Sequence, residues 1–265
     1  MTEDRGRPTD PDGLSRRKWL GLMGTAGAAG AVRVVGTGTA SLGAGAADAA
    51  GAVEVATVPI HSLDCVVTPA QTEGPYFVDE RLNRSDIRAD PTTSAIKEGW
   101  PLRLRTLVTK VTGETCTPVE GAMVDVWQCD ALGAYSDVRD SQGRFDTRGQ
   151  KFLRGYQVTD RTGTAEFLTI YPGWYAGRTV HIHFKVRLFE GDRRSFEFTS
   201  QLYFDEAITD EVYANAPYSS RGPRDTRNDR DGIYRAGNSG SFLMLKLARD
   251  GHGHLGTMAI GLRMS

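Results

Sequence analysis

The chain has 265 residues, of which 39% are hydrophobic and 25% charged, a balance that excludes a disordered or collagen-like polymer and suits one domain with a buried core. Lys and Arg number 32 against 33 Asp and Glu, so no charge excess supports a nucleic-acid or acidic-membrane partner, and a small molecule is expected instead. At the N-terminus, Ser15-Arg16-Arg17-Lys18-Trp19-Leu20 sets a twin-arginine pair before a weakly apolar Gly/Ala-rich run, Gly21 to Val32. Arg33 stops that run short of the roughly 20 apolar residues of a membrane span, so no stable membrane anchor is expected. Small residues then continue through AGAADAAGA, which offers A-x-A-like cleavage sites. A low-complexity tail would explain the Gly and Ala but not the paired arginines. Residues 1–50 therefore read as a twin-arginine signal peptide and Gly/Ala-rich region, recognised by the twin-arginine export machinery, and residues 51–265 as the mature domain, extracellular or periplasmic.

The mature part opens with an arm, Thr68–Glu80, whose Gly74-Pro75 marks a turn between polar and aromatic residues. A polar loop leads to PLRLRTLVTKV, Pro101–Val111, which alternates as a strand does, and a turn from Gly113 to Gly121 leads to a second strand, Ala122–Trp127. Asp137–Gln150 is a charged surface loop. Tyr156–Asp160 and Thr164–Ile170 flank Arg161-Thr162-Gly163 and predict a hairpin. Thr179–Leu188 and Phe196–Phe204 are two more alternating runs. Asp205–Asn238 is long and charged, with a helical turn near Ile208–Tyr213, and connections of that length usually serve a site. Phe242–Leu247 and Leu255–Arg263 close the chain around the turn Asp250–His254. Seven or eight strands without a long amphipathic helix predict an all-β fold, a β-sandwich with long active-site loops. Cys65, Cys116 and Cys129 allow one disulfide, with three pairings open, and the lack of C-x-x-C argues against a zinc–thiolate site.

Chemistry concentrates in Thr169–Val186, TIYPGWYAGRTVHIHFKV. His181 and His183 stand two apart on a strand pattern, so both imidazoles face one side and can share a metal. His252 and His254 have the same spacing, but their Gly-rich turn predicts solvated side chains, and His61 stands apart near the mature N-terminus. Tyr175 and Arg178 flank a turn at Gly177, and Tyr135 lies in WQCDALGAYS. A phenol ionises near pH 10, so tyrosinate at neutral pH needs a strong Lewis acid beside it, and Fe(III) prefers such anionic oxygen donors.

The segments TPAQTEGPYF, VEGAMVDVWQCDALGAYS, FLRGYQVTDRTGTAEFLTIYPGWYAGRTVHIHFKV and SQLYF, in that order, resemble the intradiol ring-cleavage dioxygenases, the family of protocatechuate 3,4-dioxygenase and catechol 1,2-dioxygenase. The resemblance implies one non-haem Fe(III) per chain held by Tyr135, Tyr175, His181 and His183, with Arg178 and Tyr175 catalytic. It places Gly74, Pro75, Tyr76 and Gln201 at the substrate. It further implies O2-dependent opening of a catechol to a cis,cis-muconate-type diacid, with Tyr175 giving way as the diol binds. The export signal resembles that of secreted members, which implies catabolism of aromatic or lignin-derived compounds. Glu73 in the arm, if it faces the pocket, would disfavour a carboxylated ring. Two other classes compete: a non-catalytic secreted β-sandwich binding module, which carries no metal, and a zinc or copper hydrolase, which needs a further His or carboxylate beside the histidine pair.

Overall fold

The computed structural model of the protein describes residues 65–264; the export signal read in residues 1–50 and His61 lie outside the described residues. Two sheets form a β-sandwich. The first is built on β1 (Pro101–Thr112), where Leu102, Leu104 and Val108 turn inward while Arg103 and Arg105 turn out. At 12 residues β1 is long enough to serve two strands along one edge. These are β2 (Thr115–Pro118) on Thr109–Thr112 and β5 (Thr164–Ile170) on Pro101–Leu107. Its other edge pairs in parallel with β9 (Gly253–Leu262), which β8 (Lys246–Asp250) follows antiparallel.

The second sheet has the order β4 (Arg154–Val158), β3 (Met123–Trp127), β6 (His181–Glu190), β7 (Arg193–Tyr203), all antiparallel. The expected hairpin between Tyr156 and Ile170 is therefore not one: β4 and β5 belong to different sheets, and the turn after Asp160 carries the chain between them. Asp160 Oδ1 still accepts from Thr162 N and Thr164 N at 2.8 and 3.0 Å, so the turn chemistry is as read while the pairing is not. β2, four residues ending in Pro118 on the edge of the sheet, has too little alternation to be seen in sequence. Phe242 and Leu243 end a 3-10 segment instead of starting a strand.

The core lies between the sheets, where Ile182, Phe184 and Val186 of β6 meet Leu104, Val108 and Phe167. The opposite face of β6 is polar yet buried: His181, His183, Lys185 and Arg187 are each at most 4% exposed. The arm covers this row, and buried charges require partners. Lys185 pairs with Glu73 and Glu197, and Arg187 with Asp79 and Asp125. A disulfide joins Cys65 to Cys116, fastening the start of the arm to β2, and Cys129 is buried and free. Between β7 and β8 runs the long polar connection, holding α1 (Glu206–Tyr213), which Asp205 caps, and the single turn α2 (Gly232–Arg235), which Asp231 caps. No helix among the described residues is long and apolar enough to cross a membrane.

Candidate metal centre

Tyr135 is delivered by a turn that Asp130 organises. Asp130 Oδ1 accepts from Leu132 N and Ala134 N at 3.1 and 2.9 Å, and Lys97 Nζ holds Oδ2 at 2.9 Å. The Thr147 hydroxyl donates to the Tyr135 carbonyl at 2.5 Å, and Arg154 holds the next residue by donating from Nε to Ser136 Oγ at 2.7 Å. The Tyr135 ring is fully buried, and its Oη has no hydrogen-bond partner among the described residues. Burial pushes its phenol well above 10.

Gly173 lets the loop that carries Tyr175 dock on this turn, because a Cβ there would lie 2.4 Å from the Asp130 carbonyl oxygen. That loop brings Tyr175 edge-on to Tyr135, ring centroids 5.7 Å apart, and bends back with Arg178 N donating to the Tyr175 carbonyl at 3.2 Å. β6 starts immediately after. His181 Nδ1 lies 2.6 Å from the Thr179 carbonyl, so its proton is placed there and Nε2 presents a lone pair. Trp127, the register partner of His183 across β3, stacks on that ring at 4.9 Å and 7°. The two Nε2 atoms are 3.1 Å apart, and Tyr175 Oη is 3.2 Å from His181 Nε2. Burial, with the Arg178 charge adding to it, holds both imidazoles well below 6.5 and therefore neutral.

Arg178 reaches in from the turn, with its NH1 3.4 Å from both Tyr175 Oη and His181 Nε2. Its NH2 donates to Gln201 Oε1 at 2.6 Å, and Gln201 Nε2 donates to the Thr72 carbonyl at 2.9 Å, so Gln201 links the arginine to the arm. On the arm, Gly74 has φ +72° and passes so close that a Cβ would sit 3.3 Å from His183 Cε1. Pro75 is exposed beside it. Tyr76 stacks on Tyr135 at 4.5 Å, but its hydroxyl is turned to Asp140 Oδ1 at 2.6 Å, where burial and that carboxylate push it up to about 12. Glu73 is compensated by Lys185, so the argument from its charge against carboxylated rings loses its ground. His254 is buried, not solvated as expected, and its Nδ1 accepts from Trp100 Nε1 at 3.0 Å, whereas His252 is exposed.

The structure thus gathers Tyr135, Tyr175, His181, His183, Arg178, Gln201, Gly74 and Tyr76 in one place, with Pro75 at the margin. Sequence reasoning missed Trp127, which fixes the His183 ring, and Asp231, which pairs with Arg178. Trp127 could have been found from antiparallel pairing of its strand with the histidine strand. Asp231 sits in the featureless polar connection and carried no such signal.

The donor set fits a ferric ion. Among the described residues no three His, Cys, Asp or Glu side chains cluster as a metal site, and the side chains beside the two histidines are phenols. Two neutral imidazole nitrogens converge with the Tyr175 phenol, the Tyr135 ring lies beside them, and its oxygen is buried without a partner among the described residues. Burial opposes ionisation of both tyrosines, and a hard trivalent cation is what would reverse it.

Residues 72–230 match a family model described as Dioxygenase. The protocatechuate 3,4-dioxygenase beta chain of Burkholderia cepacia is 36% identical over 144 residues, covering 50% of this chain and 59% of that protein. The chlorocatechol 1,2-dioxygenase of Pseudomonas putida is 29% identical over 152 residues, covering 50% and 52%. The matches thus span little more than half the length of these curated relatives. Among solved structures, an intradiol ring-cleavage dioxygenase from Tetranychus urticae superimposes with a TM-score of 0.64 at 29% identity, over 75% of this chain and 95% of that one.

Proposed function

This chain belongs to the intradiol ring-cleavage dioxygenases, and from that premise we propose that it binds one Fe(III) through Tyr135, Tyr175, His181 and His183 and cleaves a catechol-type diol with O2. The observation that carries the reading is the meeting of the Tyr175 hydroxyl and two imidazole Nε2 atoms beside the Tyr135 ring, whose oxygen is buried without a hydrogen-bond partner among the described residues. The carbon–carbon bond between the two hydroxylated carbons breaks, each carbon gains one oxygen atom of O2, and a cis,cis-muconate-type diacid results. Ferric iron held there would supply the Lewis acid that binds the diol oxygens and makes the ring reactive toward O2.

The protein's own groups divide the remaining work. Tyr175 is half-buried on a turn while Tyr135 is sealed, so Tyr175 is the phenol free to move, and its Oη is the acceptor for a diol proton. Arg178 NH1 is aimed at Tyr175 Oη and His181 Nε2, where its charge favours the phenolate and steadies negative charge developing on the ring. Tyr76 and the backbone at Gly74 close the site over Tyr135 and His183 and keep water from them. Gln201 keeps the arm and the arginine in one register.

The same proposal places the enzyme outside the cytoplasm, in catabolism of aromatic or lignin-derived compounds. Arg16-Arg17 ahead of the Gly/Ala-rich run supports export, and the Cys65–Cys116 disulfide suits an oxidising compartment. The test is a visible spectrum of purified, iron-loaded protein before and after anaerobic catechol. A broad tyrosinate band that moves to longer wavelength, followed by muconate on admitting oxygen, is the expected result. A colourless protein at full iron loading would overturn the two-tyrosine site and leave a binding module.

A further inference from the structure

Resting on that reading, we infer that Asp231 is a positioning residue of the site, which fixes the Arg178 guanidinium so that one nitrogen faces the reacting groups. Arg178 has three nitrogens. Nε donates to Asp231 Oδ2 at 2.8 Å and NH2 to Gln201 Oε1 at 2.6 Å, which leaves NH1 directed at Tyr175 Oη and His181 Nε2. Gln201 is neutral, and Asp231 is the one carboxylate in ion-pair range of Arg178 among the described residues. A guanidinium this enclosed, its side chain 14% exposed, needs a counter-charge to stay in place.

Asp231 is built for that task. Its side chain is fully buried, and four donors surround it. Thr179 N joins Arg178 Nε on Oδ2 at 2.9 Å, while Ile233 N and Tyr234 N meet Oδ1 at 2.7 and 3.0 Å. One carboxylate thereby ties Thr179, just ahead of the histidine strand, the catalytic arginine and the start of α2 together. An amide cannot replace it. An asparagine side chain in its place would set its NH2 group either against the two helix N–H groups or against Arg178 Nε and Thr179 N, losing two bonds and opposing donor to donor. Capping alone does not explain the arrangement, since a four-residue helix is satisfied by one oxygen and would leave the other to solvent. Around it the connection also holds the arm, because Gln71 Nε2 donates to the Ile233 carbonyl at 3.1 Å and to Ser239 Oγ at 2.8 Å. The segment between β7 and β8 is on this account the outer frame of the site.

The test compares iron-loaded wild type, Asp231→Asn, Arg178→Ala and the double variant for turnover of catechol, and adds thermal stability and, on the metal-free forms, the arginine Nε–H signals by ¹⁵N NMR. Asp231→Asn is expected to lower kcat about 100-fold with a much smaller change in KM, the size of effect that misplacing a catalytic group produces. In the Arg178→Ala background the same substitution should change kcat less than about twofold, because it acts through the arginine, and should lower the thermal midpoint less than in the wild-type background, because the ion pair is already broken there. An equal fractional loss of kcat in both backgrounds, or no loss in either, would overturn the inference. The Arg178 Nε–H signal, assigned by its disappearance in Arg178→Ala, should exchange slowly in wild type and fast in Asp231→Asn. Unchanged exchange would also refute it. If wild type cleaves no catechol, the proposed function fails, and the NMR comparison still decides whether Asp231 holds Arg178.

Discussion

Tyr135→Phe should make the metal-free protein more stable while abolishing the iron chemistry proposed for it. The Tyr135 ring is fully buried, and its Oη is a buried polar atom without a partner among the described residues. Leaving a buried hydroxyl unsatisfied costs about 1–3 kcal/mol, which Phe removes. Against this stands the void left by one oxygen, about 20 Å³, which at about 24 cal/mol per Å³ returns roughly 0.5 kcal/mol. The net gain is about 0.5–2.5 kcal/mol, or roughly 1–10 °C in thermal midpoint for a domain of this size. Urea and thermal unfolding of chelator-treated wild type and variant would measure it, with the visible spectrum of the iron-loaded forms recorded in parallel. A metal-free variant less stable than wild type by more than about 1 kcal/mol would mean that the hydroxyl has a partner, and the reasoning would fall. So would a variant that kept the full tyrosinate band.

Gly74→Ala puts a side chain at φ +72° with its Cβ 3.3 Å from His183 Cε1, a ring already stacked on Trp127. It should destabilise the fold by about 1–2 kcal/mol and weaken iron retention during dialysis against chelator, whereas unchanged retention would show that the ring has room to move. The Arg144 guanidinium holds the Asp140 carboxyl well below the usual carboxylate range, and the Tyr76 hydroxyl assists. With the folded value depressed, this stabilisation is present above the unfolded value of about 3.9 and is lost as pH falls below it, so Asp140→Asn should flatten the stability profile measured by urea unfolding between about pH 4 and pH 2. Cys116→Ser opens a link between residues 51 apart and should lower stability by up to about 4 kcal/mol in denaturant melts. Its iron spectrum should match wild type, because the disulfide lies between the arm's start and β2; a shifted band would show that the link shapes the metal centre.

Some of this protein is written locally in its chain. The alternation of HIHFKVRL puts Ile182, Phe184 and Val186 in the core and His181, His183, Lys185 and Arg187 on the other face, because successive strand side chains point oppositely. Tyr135, Tyr175 and Arg178 could be named as candidates through the resemblance of the motifs that carry them, and the structure shows that those motifs make their own turns: Asp130 closes the first, and Gly173 and Gly177 shape the second. Turn chemistry at Asp160 was equally legible, yet the same hydrogen bonds serve a hairpin and a crossing between sheets. Which sheet β5 joins depends on where Phe167 finds its core partners, and no window of the sequence contains that.

What the sequence by itself determined, then, is most of the strands and the turns that carry Tyr135 and Tyr175, since period and turn residues act over a few positions. The tertiary structure alone decided the partners. Asp231 reaches Arg178 across 53 residues, Gln201 joins Arg178 to Thr72, Glu73 is paired with Lys185, and Cys65 finds Cys116. Each of these contacts satisfies a buried polar group or closes a long loop, and burial is a property of the packed whole, settled only when the arm and the β7–β8 connection cover the polar face of β6.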